Sequence, residues 1–226
     1  MVAKINTTFL DNFSLFACLA EDEKATLAGI LDHQVYSRYS FIYLPEDHAK
    51  TLFFLVKGTV KIGTHGTDGK EVIKRLVSPM SLFGEMGLVG EKKRGDFAQV
   101  LKDEVHLYSV PVQDFKRLMQ QNFDLCAATM AEFGSRVIQA ENRLESVIFK
   151  DARARIVDFI KESIRENGRR VGYEMLLKHS LTHQDIANIT CTSRQTVTLV
   201  LNELRKSDLI YFNRGKILVR DMERLA

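Results

Sequence analysis

Residues 181–210, LTHQDIANITCTSRQTVTLVLNELRKSDLI, constrain the fold more than any other stretch of this chain. Thr182 with Asp185 three residues on has the character of a capping box, with Asp in place of Glu or Gln, and opens a first helix through Ile189. Cys191-Thr192-Ser193 reads as a tight turn, and Ser193 or Thr192 caps a second helix. In that helix Val197, Val200, Leu201 and Leu204 fall at i, i+3, i+4, i+7 and must face inward. Arg194, Gln195, Thr198, Leu199 and Asn202 are left outside. An ordinary helical hairpin would fill that outer face with Lys and Glu. This one leads with Arg194 and Gln195, follows with Thr198 and exposes a bare Leu199. Arg pairs with guanine O6/N7, Gln with adenine N6/N7, and an apolar side chain suits a thymine methyl. Two short capped helices joined by a three- or four-residue turn, with such a face, predict a helix-turn-helix that binds duplex DNA.

The flanking sequence agrees. DLIYFNRGKILVRD, 208–221, alternates around Asn213-Arg214-Gly215-Lys216 and predicts a hairpin wing with Arg214 and Lys216 at its tip, placed for the DNA backbone. Thr182, Ser193 and the helix N-termini offer neutral donors to phosphates, and Gln184 belongs to the expected DNA-binding set. The formal net charge of +3 is unevenly spread. Residues 1–150 hold 18 basic against 19 acidic side chains, and residues 151–226 hold 14 against 10. A near-neutral front and a basic end suit a sensor joined to a nucleic-acid-binding module.

Upstream the texture changes twice. From Tyr36 to Val110 short apolar stretches, TLFFLV (51–56), TVKIG (59–63), EVIKRLV (71–77) and EVHLYSV (104–110), are broken by turn material at Pro45-Glu46-Asp47, Gly58, Gly66-Thr67-Asp68-Gly69 and Ser78-Pro79. That pattern predicts an antiparallel barrel or jelly roll. Before it, Asn12–Leu31 has helical spacing, with Phe13, Phe16, Leu19, Leu27, Ile30 and Leu31 apolar. After Pro111, VQDFKRLMQQ makes a short helix and a long one begins near Asp124. Within it Cys126, Met130, Phe133, Val137, Ala140, Leu144 and Val147 form an uninterrupted a/d seam. A helix packed on its own barrel would also use such a seam. Its narrowness favours pairing with a second copy, in which Arg136 at g would face Glu141 at e of the partner. A further helix starts after Asp151, its N-cap, shows Ile156, Phe159, Ile160 and Ile164 on one face, and stops at Asn167-Gly168. The expected fold is α+β, in three segments. Residues 1–111 form a sensor β-barrel with an N-terminal helix, 112–149 a short helix and a dimerisation helix, and 150–226 a winged helix-turn-helix.

No apolar run approaches the length of a membrane helix, and the opening MVAKINTTFLDNF lacks the apolar core of a secretory signal, so the expected location is the cytoplasm. Cys18, Cys126 and Cys191 are far apart and form no CxxC. No Ser/His/Asp or Cys/His constellation emerges from the spacing, so no enzyme is expected.

KTLFFLVKGTVKIGTHGTDGKEVI with SLFGEMGL in the barrel, and 181–210 at the end, make the chain resemble the Crp/Fnr family of bacterial transcription regulators over nearly its whole length. The resemblance implies a cyclic-nucleotide-binding-like jelly roll, a dimerising helix and a winged helix. It also implies a homodimer that binds a pseudo-palindromic promoter site and acts on RNA polymerase. Arg194 matches the family's base-reading arginine, whereas Gln195 stands where Glu is usual and Leu199 where a second arginine can occur. Phe83-Gly84-Glu85 matches the opening of the phosphate cassette. By the resemblance Glu85 would take a ribose hydroxyl, and Arg94 with Gly95 a cyclic phosphate. Three departures argue against a cyclic nucleotide. The Glu85–Arg94 spacing is one residue short, Arg94-Gly95-Asp96 replaces Arg-Ser/Thr-Ala, and Ala140-Glu141 replaces the Thr-Ser that meets the base. An Asp96 carboxylate ~6 Å from a phosphate at an effective dielectric near ~20 would repel it by ~3 kcal/mol, about a hundredfold in affinity. An iron–sulfur sensor needs an N-terminal cysteine cluster, and Cys18 stands alone there. A haem sensor would have to draw on His33, His48, His65 or His106, which follow no ligand pattern. The expectation is therefore an unknown small-molecule effector with no metal or iron–sulfur cluster, the alternative being a ligand-free regulator whose abundance is the signal. The competing expectation is a cyclic-nucleotide-binding regulatory module acting on another protein, which explains the barrel but not the face at 193–202.

Replacing Arg194 by alanine is predicted to cost ~1–3 kcal/mol of specific binding and to relax the preference at one base pair. Selection of sites from a randomised duplex with wild type and R194A checks this, and an unchanged consensus overturns the assignment.

Overall fold

TLFFLVK, strand β3 (Thr51–Lys57), is apolar without alternation because both of its faces are covered. The structure, a computed structural model, describes residues 7–225. Residues 1–6, part of the stretch read for a leader, lie outside the described residues. Contacts divide the chain into two compact units. One runs up to Thr64 and includes Lys74–Ile138, and the other comprises His65–Ile73 and the residues from Gln139 onward.

In the first unit a helix α1 (Glu21–Ile30) precedes strands β1 (Asp32–Tyr36) and β2 (Phe41–Tyr43). After β3 come β4 (Val60–His65), β5 (Glu71–Val77), β6 (Ser81–Phe83), β7 (Phe97–Val100) and β8 (Val105–Pro111), with only His65 of β4 and Glu71–Ile73 of β5 grouped with the second unit. They form two four-stranded sheets, ordered β1-β8-β3-β6 and β2-β7-β4-β5, and the registered pairings are antiparallel. This is the expected jelly roll. Along β3, Phe53 and Leu55 point between the sheets onto Tyr43, Val60, Phe83, Val100 and Leu107. Leu52 and Phe54 point the other way, into a layer with Leu10, Phe13, Phe16, Leu27 and Phe115. Period two therefore places one apolar set in each core. The second core is roofed by α1 and by α2 (Val112–Gln121), which spans the predicted VQDFKRLMQQ helix.

The amino-terminal reading needs correction. Asn12–Leu31 is not one helix: Leu10–Asn12 and Ser14–Phe16 are 3₁₀ turns, and the α-helix begins only at Glu21. The buried residues Leu10, Phe13, Phe16 and Leu19 explain why. Phe13, at ψ 115°, is extended between the two turns, and the broken path brings Leu10, Phe13, Phe16 and Leu19 into one apolar layer.

The long helix α3 (Phe123–Phe149) begins one residue before the expected Asp124. Its Leu125 and Thr129 are buried, while Met130, Val137, Leu144 and Val147 are exposed, Val137 at 56 %. Of the other seam positions Ala140 is exposed and Phe133 half-buried. The predicted pairing of Arg136 with a partner's Glu141 is not what the fold uses. Arg136 turns inward, forms an ion pair with Glu85 and donates to the Leu82 carbonyl at 2.6 Å. A buried carboxylate attracts a cation far more strongly than an exposed e–g pair does.

In the second unit α4 (Ala152–Asn167) starts at its Asp151 cap, whose carboxylate accepts from the Ala154 amide at 2.8 Å. Then follow β9 (Arg169–Val171), β10 (Glu174–Lys178), α5 (His183–Ile189), α6 (Arg194–Lys206), β11 (Ile210–Asn213) and β12 (Lys216–Val219). The four strands form one sheet, β11-β12-β10-β9. The predicted wing is β11–β12, but the β9–β10 hairpin was not anticipated. Its signal was available in Gly172, which adopts φ +63° at the turn, and in the alternating Met175 and Leu177. The core joins Ile156, Ile160 and Ile164 of α4 to Val197, Leu201 and Leu204 of α6 and to Ile217 and Val219 of the sheet.

Phe54 is the hinge of the roofed core, 1 % exposed, with the rings of Phe16 at 5.0 Å and of Phe13 and Phe115 at 5.8 Å. Phe54→Ala is expected to destabilise the first unit by about 3–5 kcal/mol. Chemical denaturation followed in each unit separately should show the loss there, with the second unit's transition unchanged.

Candidate functional site

The helix-turn-helix assembles as the sequence predicts. Thr182 Oγ1 accepts from the Asp185 amide at 3.1 Å, and the Asp185 carboxylate accepts from the Thr182 amide and hydroxyl at 2.8 and 2.7 Å. The hydroxyl proton of Thr182 is thus committed to the cap. Ser193 caps α6 by accepting from the Thr196 amide at 3.0 Å. Between the helices Cys191 takes a left-handed conformation, φ +50°, uncommon for a residue with a Cβ.

Val197, Val200, Leu201 and Leu204 are buried, as expected, and the outer face is left for something else. Arg194 and Gln195 are exposed, and no side-chain hydrogen bond engages either among the described residues. Leu199 is 61 % exposed, an apolar side chain held in water. Thr198 Oγ1 donates to the Arg194 carbonyl at 2.9 Å. Gln184 is exposed and donates to Asn188 Oδ1 at 2.8 Å. Arg214 is exposed in the wing turn, where its amide donates to Asn213 Oδ1 at 2.7 Å.

Three residues of this region were missed by the sequence reading. Arg155, in the first turn of α4, donates to the carbonyls of Thr190 at 2.9 Å, Cys191 at 3.1 Å and Lys150 at 2.7 Å. Arg143 of α3 donates to the Ile189 carbonyl. Carbonyls that terminate a helix lack internal partners, so two guanidinium groups here satisfy the end of α5 and the turn together. His183 is the third. Its Nδ1 lies 2.9 Å from Thr198 Oγ1 and its ring packs on Phe212 at 6.0 Å. Burial, and then Arg194, hold its pKa below the ordinary histidine value.

The barrel brings Phe83, Gly84, Glu85, Arg94 and Gly95 into one region, but the two charged groups are already engaged. Arg94 is only 4 % exposed. It donates to the carbonyls of Gly84 at 2.6 Å and Thr51 at 2.5 Å, and its guanidinium lies 4.4 Å from the Tyr43 ring centre. Its Nε is buried with no hydrogen-bond partner among the described residues. Gly84 has φ +77°, and a Cβ there would stand 2.9 Å from the Phe53 ring and 3.2 Å from Arg94. Only glycine lets the backbone carry both contacts. Glu85, 7 % exposed, is paired with Arg136 and with Arg75 at 3.6 Å. Asp96 meets neither Arg94 nor Lys93. It accepts from the Tyr43 hydroxyl and from Lys74, both at 3.3 Å, while Lys93 pairs with Glu46 at 2.7 Å. Burial and then Asp96 push the Tyr43 phenol well above its ordinary pKa, so it stays protonated and keeps that bond. Gly95 is exposed with no atom near its Cα face.

These residues do not fit a cyclic nucleotide as the resemblance would place it. The cation for the phosphate is spent on two carbonyls, and the acceptor for the ribose is spent on two arginines. A groove of about 350 Å3 elsewhere in the first unit, lined by Leu88, Lys116, Met119, Gln120, Phe123 and Cys126, includes none of the five predicted pocket residues. His33 and His106 lie side by side with ring centres 5.6 Å apart, yet no three His, Cys, Asp or Glu side chains among the described residues could hold a metal. The three cysteines are unbridged and half-buried, and no helix among the described residues is long and apolar enough to cross a membrane.

Comparison with known proteins matches residues 33–122 to a cyclic nucleotide-binding domain and residues 154–226 to a Crp-like helix-turn-helix domain. The global nitrogen regulator of Synechocystis is 29 % identical over 189 residues, which cover 83 % of this chain and 84 % of that protein. The CRP-like cAMP-activated global transcriptional regulator of Mycobacterium tuberculosis is 24 % identical, covering 89 % and 90 %. Among solved structures FixK2 from Bradyrhizobium japonicum superposes with a TM-score of 0.78 at 19 % identity, over 87 % of this chain and 96 % of that one. Sensor barrel and helix-turn-helix occur here in the order of those relatives, and the chain belongs to the Crp/Fnr family of DNA-binding transcription regulators.

Proposed function

We propose that the protein acts in the cytoplasm as a homodimer on a pseudo-palindromic promoter site and controls RNA polymerase there. Residues 1–111 serve as sensor, 112–149 as dimerisation segment and 150–226 as DNA-binding domain. The observation that carries this reading is the outer face of α6, where Arg194, Gln195 and Leu199 are exposed beside a fully packed inner face. Arg194, Gln195, Thr198 and Leu199 contact bases, while Gln184, Ser193 and Arg214 position the domain on phosphates and Thr182, its donors taken by Asp185, serves the interface by capping α5. Gln195 and Leu199 suit adenine and a thymine methyl, which favours an A·T-richer half-site than one read by Glu and a second Arg.

Pairing is supported by the exposed seam of α3. Met130, Val137, Leu144 and Val147 lie open on it, flanked by Phe133 and Ala140. A two-fold dimer sets its recognition helices one helical turn of DNA apart, about 34 Å. The sensor's effector is proposed to be a small molecule other than a cyclic nucleotide, because the groups at the phosphate and ribose positions are satisfied from within.

Electrophoretic shifts with duplexes selected from a random library test the DNA reading. Specific binding that weakens steeply with salt, by a log–log slope of about 0.9 for each phosphate neutralised, is expected. Absence of specific binding would favour a regulatory module for another protein. Val137→Arg should convert the dimer to monomer in analytical ultracentrifugation and abolish the shift. A dimer that persists in this variant places the interface elsewhere. Calorimetry with cAMP and cGMP is expected to show no heat of binding, and micromolar affinity for either overturns the proposal about the sensor.

A further inference from the structure

We propose that His183 is a phosphate-contacting residue that takes up a proton as DNA binds, so that operator affinity in this regulator falls as pH rises. This rests on the DNA-binding reading given above and adds a residue and a proton to it.

The hydrogen-bond pattern fixes the ring's tautomer. Thr198 has one hydroxyl proton, and it is donated to the Arg194 carbonyl at 2.9 Å. The same oxygen lies 2.9 Å from His183 Nδ1, so it must accept there and Nδ1 must carry a hydrogen. In the neutral ring Nε2 is then a bare acceptor, and no hydrogen bond engages it among the described residues. Only a protonated ring offers a donor at Nε2 while keeping the bond to Thr198.

The surroundings keep that ring neutral until DNA arrives. From α6 it faces Thr198 and the positive charge of Arg194. From β11 it faces the uncharged Phe212, whose ring has the Arg205 guanidinium 5.1 Å away. On its own helix Gln184 is neutral, and the Asp185 carboxylate is taken up by the amide and hydroxyl of Thr182. Among the described residues no carboxylate is therefore placed to hold an imidazolium. Burial first, and Arg194 second, depress the pKa below the ordinary value of about 6.5.

DNA reverses these terms. His183 is tied to Thr198 and adjoins Arg194, two residues of the reading face, so it stands where the phosphates approach. A neutral Nε2 would point its lone pair at a phosphate oxygen. A protonated Nε2 donates to it in a charge-assisted bond. The pKa in the complex is thus raised over that of the free protein, and the complex holds the extra proton. Affinity is full below the free ring's pKa and is lost as pH climbs towards that of the complex. Within this window each subunit contributes up to about tenfold per pH unit.

The test is fluorescence anisotropy of the full-length protein with a library-selected duplex, from pH 5.5 to 8.5 at fixed ionic strength. Calorimetry in buffers of different ionisation enthalpy counts the protons taken up. Wild type should lose affinity with rising pH and take up close to one proton per subunit at neutral pH. His183→Gln, which can still donate to Thr198, should be nearly flat in pH and match the weak high-pH limit of wild type. His183→Arg should be flat and tight. If wild type and H183Q show the same slope and the same proton count, or if wild type takes up none, the proposal fails. If no selected duplex binds at any pH, the DNA-binding reading fails first, and this one with it.

Discussion

A carboxylate out of water is the constraint on which the first unit depends. Glu85 is 7 % exposed and must be neutralised by a cation or left at a cost of several kcal/mol. Arg136 answers from α3 and Arg75 from β5. Because Arg136 must point at Glu85, the rotation of α3 is set. Leu125, Thr129, Glu132 and Arg136 make one row at spacings of four and three, the first two fully buried. Cys126, Met130, Phe133 and Val137 form the next row, one residue on and ~100° round the helix. The ion pair of Arg136 with Glu85 therefore also turns the apolar seam outward.

The second unit has its own fixed point in the guanidinium of Arg155. It holds the Lys150 carbonyl, just beyond α3, together with the Thr190 and Cys191 carbonyls of the helix-turn-helix. With Arg143 on Ile189, the end of α5 is fastened to both preceding helices. This compensates an expensive turn. Cys191 adopts φ +50°, where a Cβ costs ~1–2 kcal/mol, and charge-assisted bonds to its own and the preceding carbonyl hold it there. One side chain thus links the residue after α3 to the turn that precedes Ser193 and Arg194. Arg155→Lys would keep the charge and lose the fork, since an ammonium cannot serve three carbonyls in one plane.

What the sequence discloses here is what rests on local chemistry. The caps at Asp151, Thr182 and Ser193, the inner row of α6, the extent of α2 and the wing around Arg214-Gly215 all follow from residues within a turn or two of each other. The β3 run is legible as a strand, though only the structure shows that Phe53 and Phe54 serve two different cores. The failures are of two kinds. A spacing of three at Leu10, Phe13, Phe16 and Leu19 sits between α and 3₁₀ geometry, and tertiary burial decides it. Arg94, Arg136, Arg143 and Arg155 look alike in a sequence, whereas their partners, carbonyls and a carboxylate, are brought to them by folding from up to 54 positions away. His183 was passed over for the same reason, since its partner lies across the turn on α6.

In the barrel the residues matching the phosphate cassette are engaged with one another and with the backbone. Phe83-Gly84-Glu85 still places a left-handed glycine and an acidic residue at the end of β6, and Arg94 still returns to that point. In a phosphate site the guanidinium must keep its donors for the ligand. Here two of its nitrogens go to carbonyls, and Tyr43, packed over its face, directs its own hydroxyl to Asp96. Tyr43 and Asp96 thus act together. Alone, the carboxylate would disturb a phosphate site by simple repulsion. Tied to the phenol and to Lys74, it stays beside the arginine without pairing with it, and the guanidinium stays on the backbone. The result is a buried cation that braces β3 against the Gly84 turn. Glu85, by contrast, carries its ion pairs outward from the same turn, to Arg75 of β5 and Arg136 of α3.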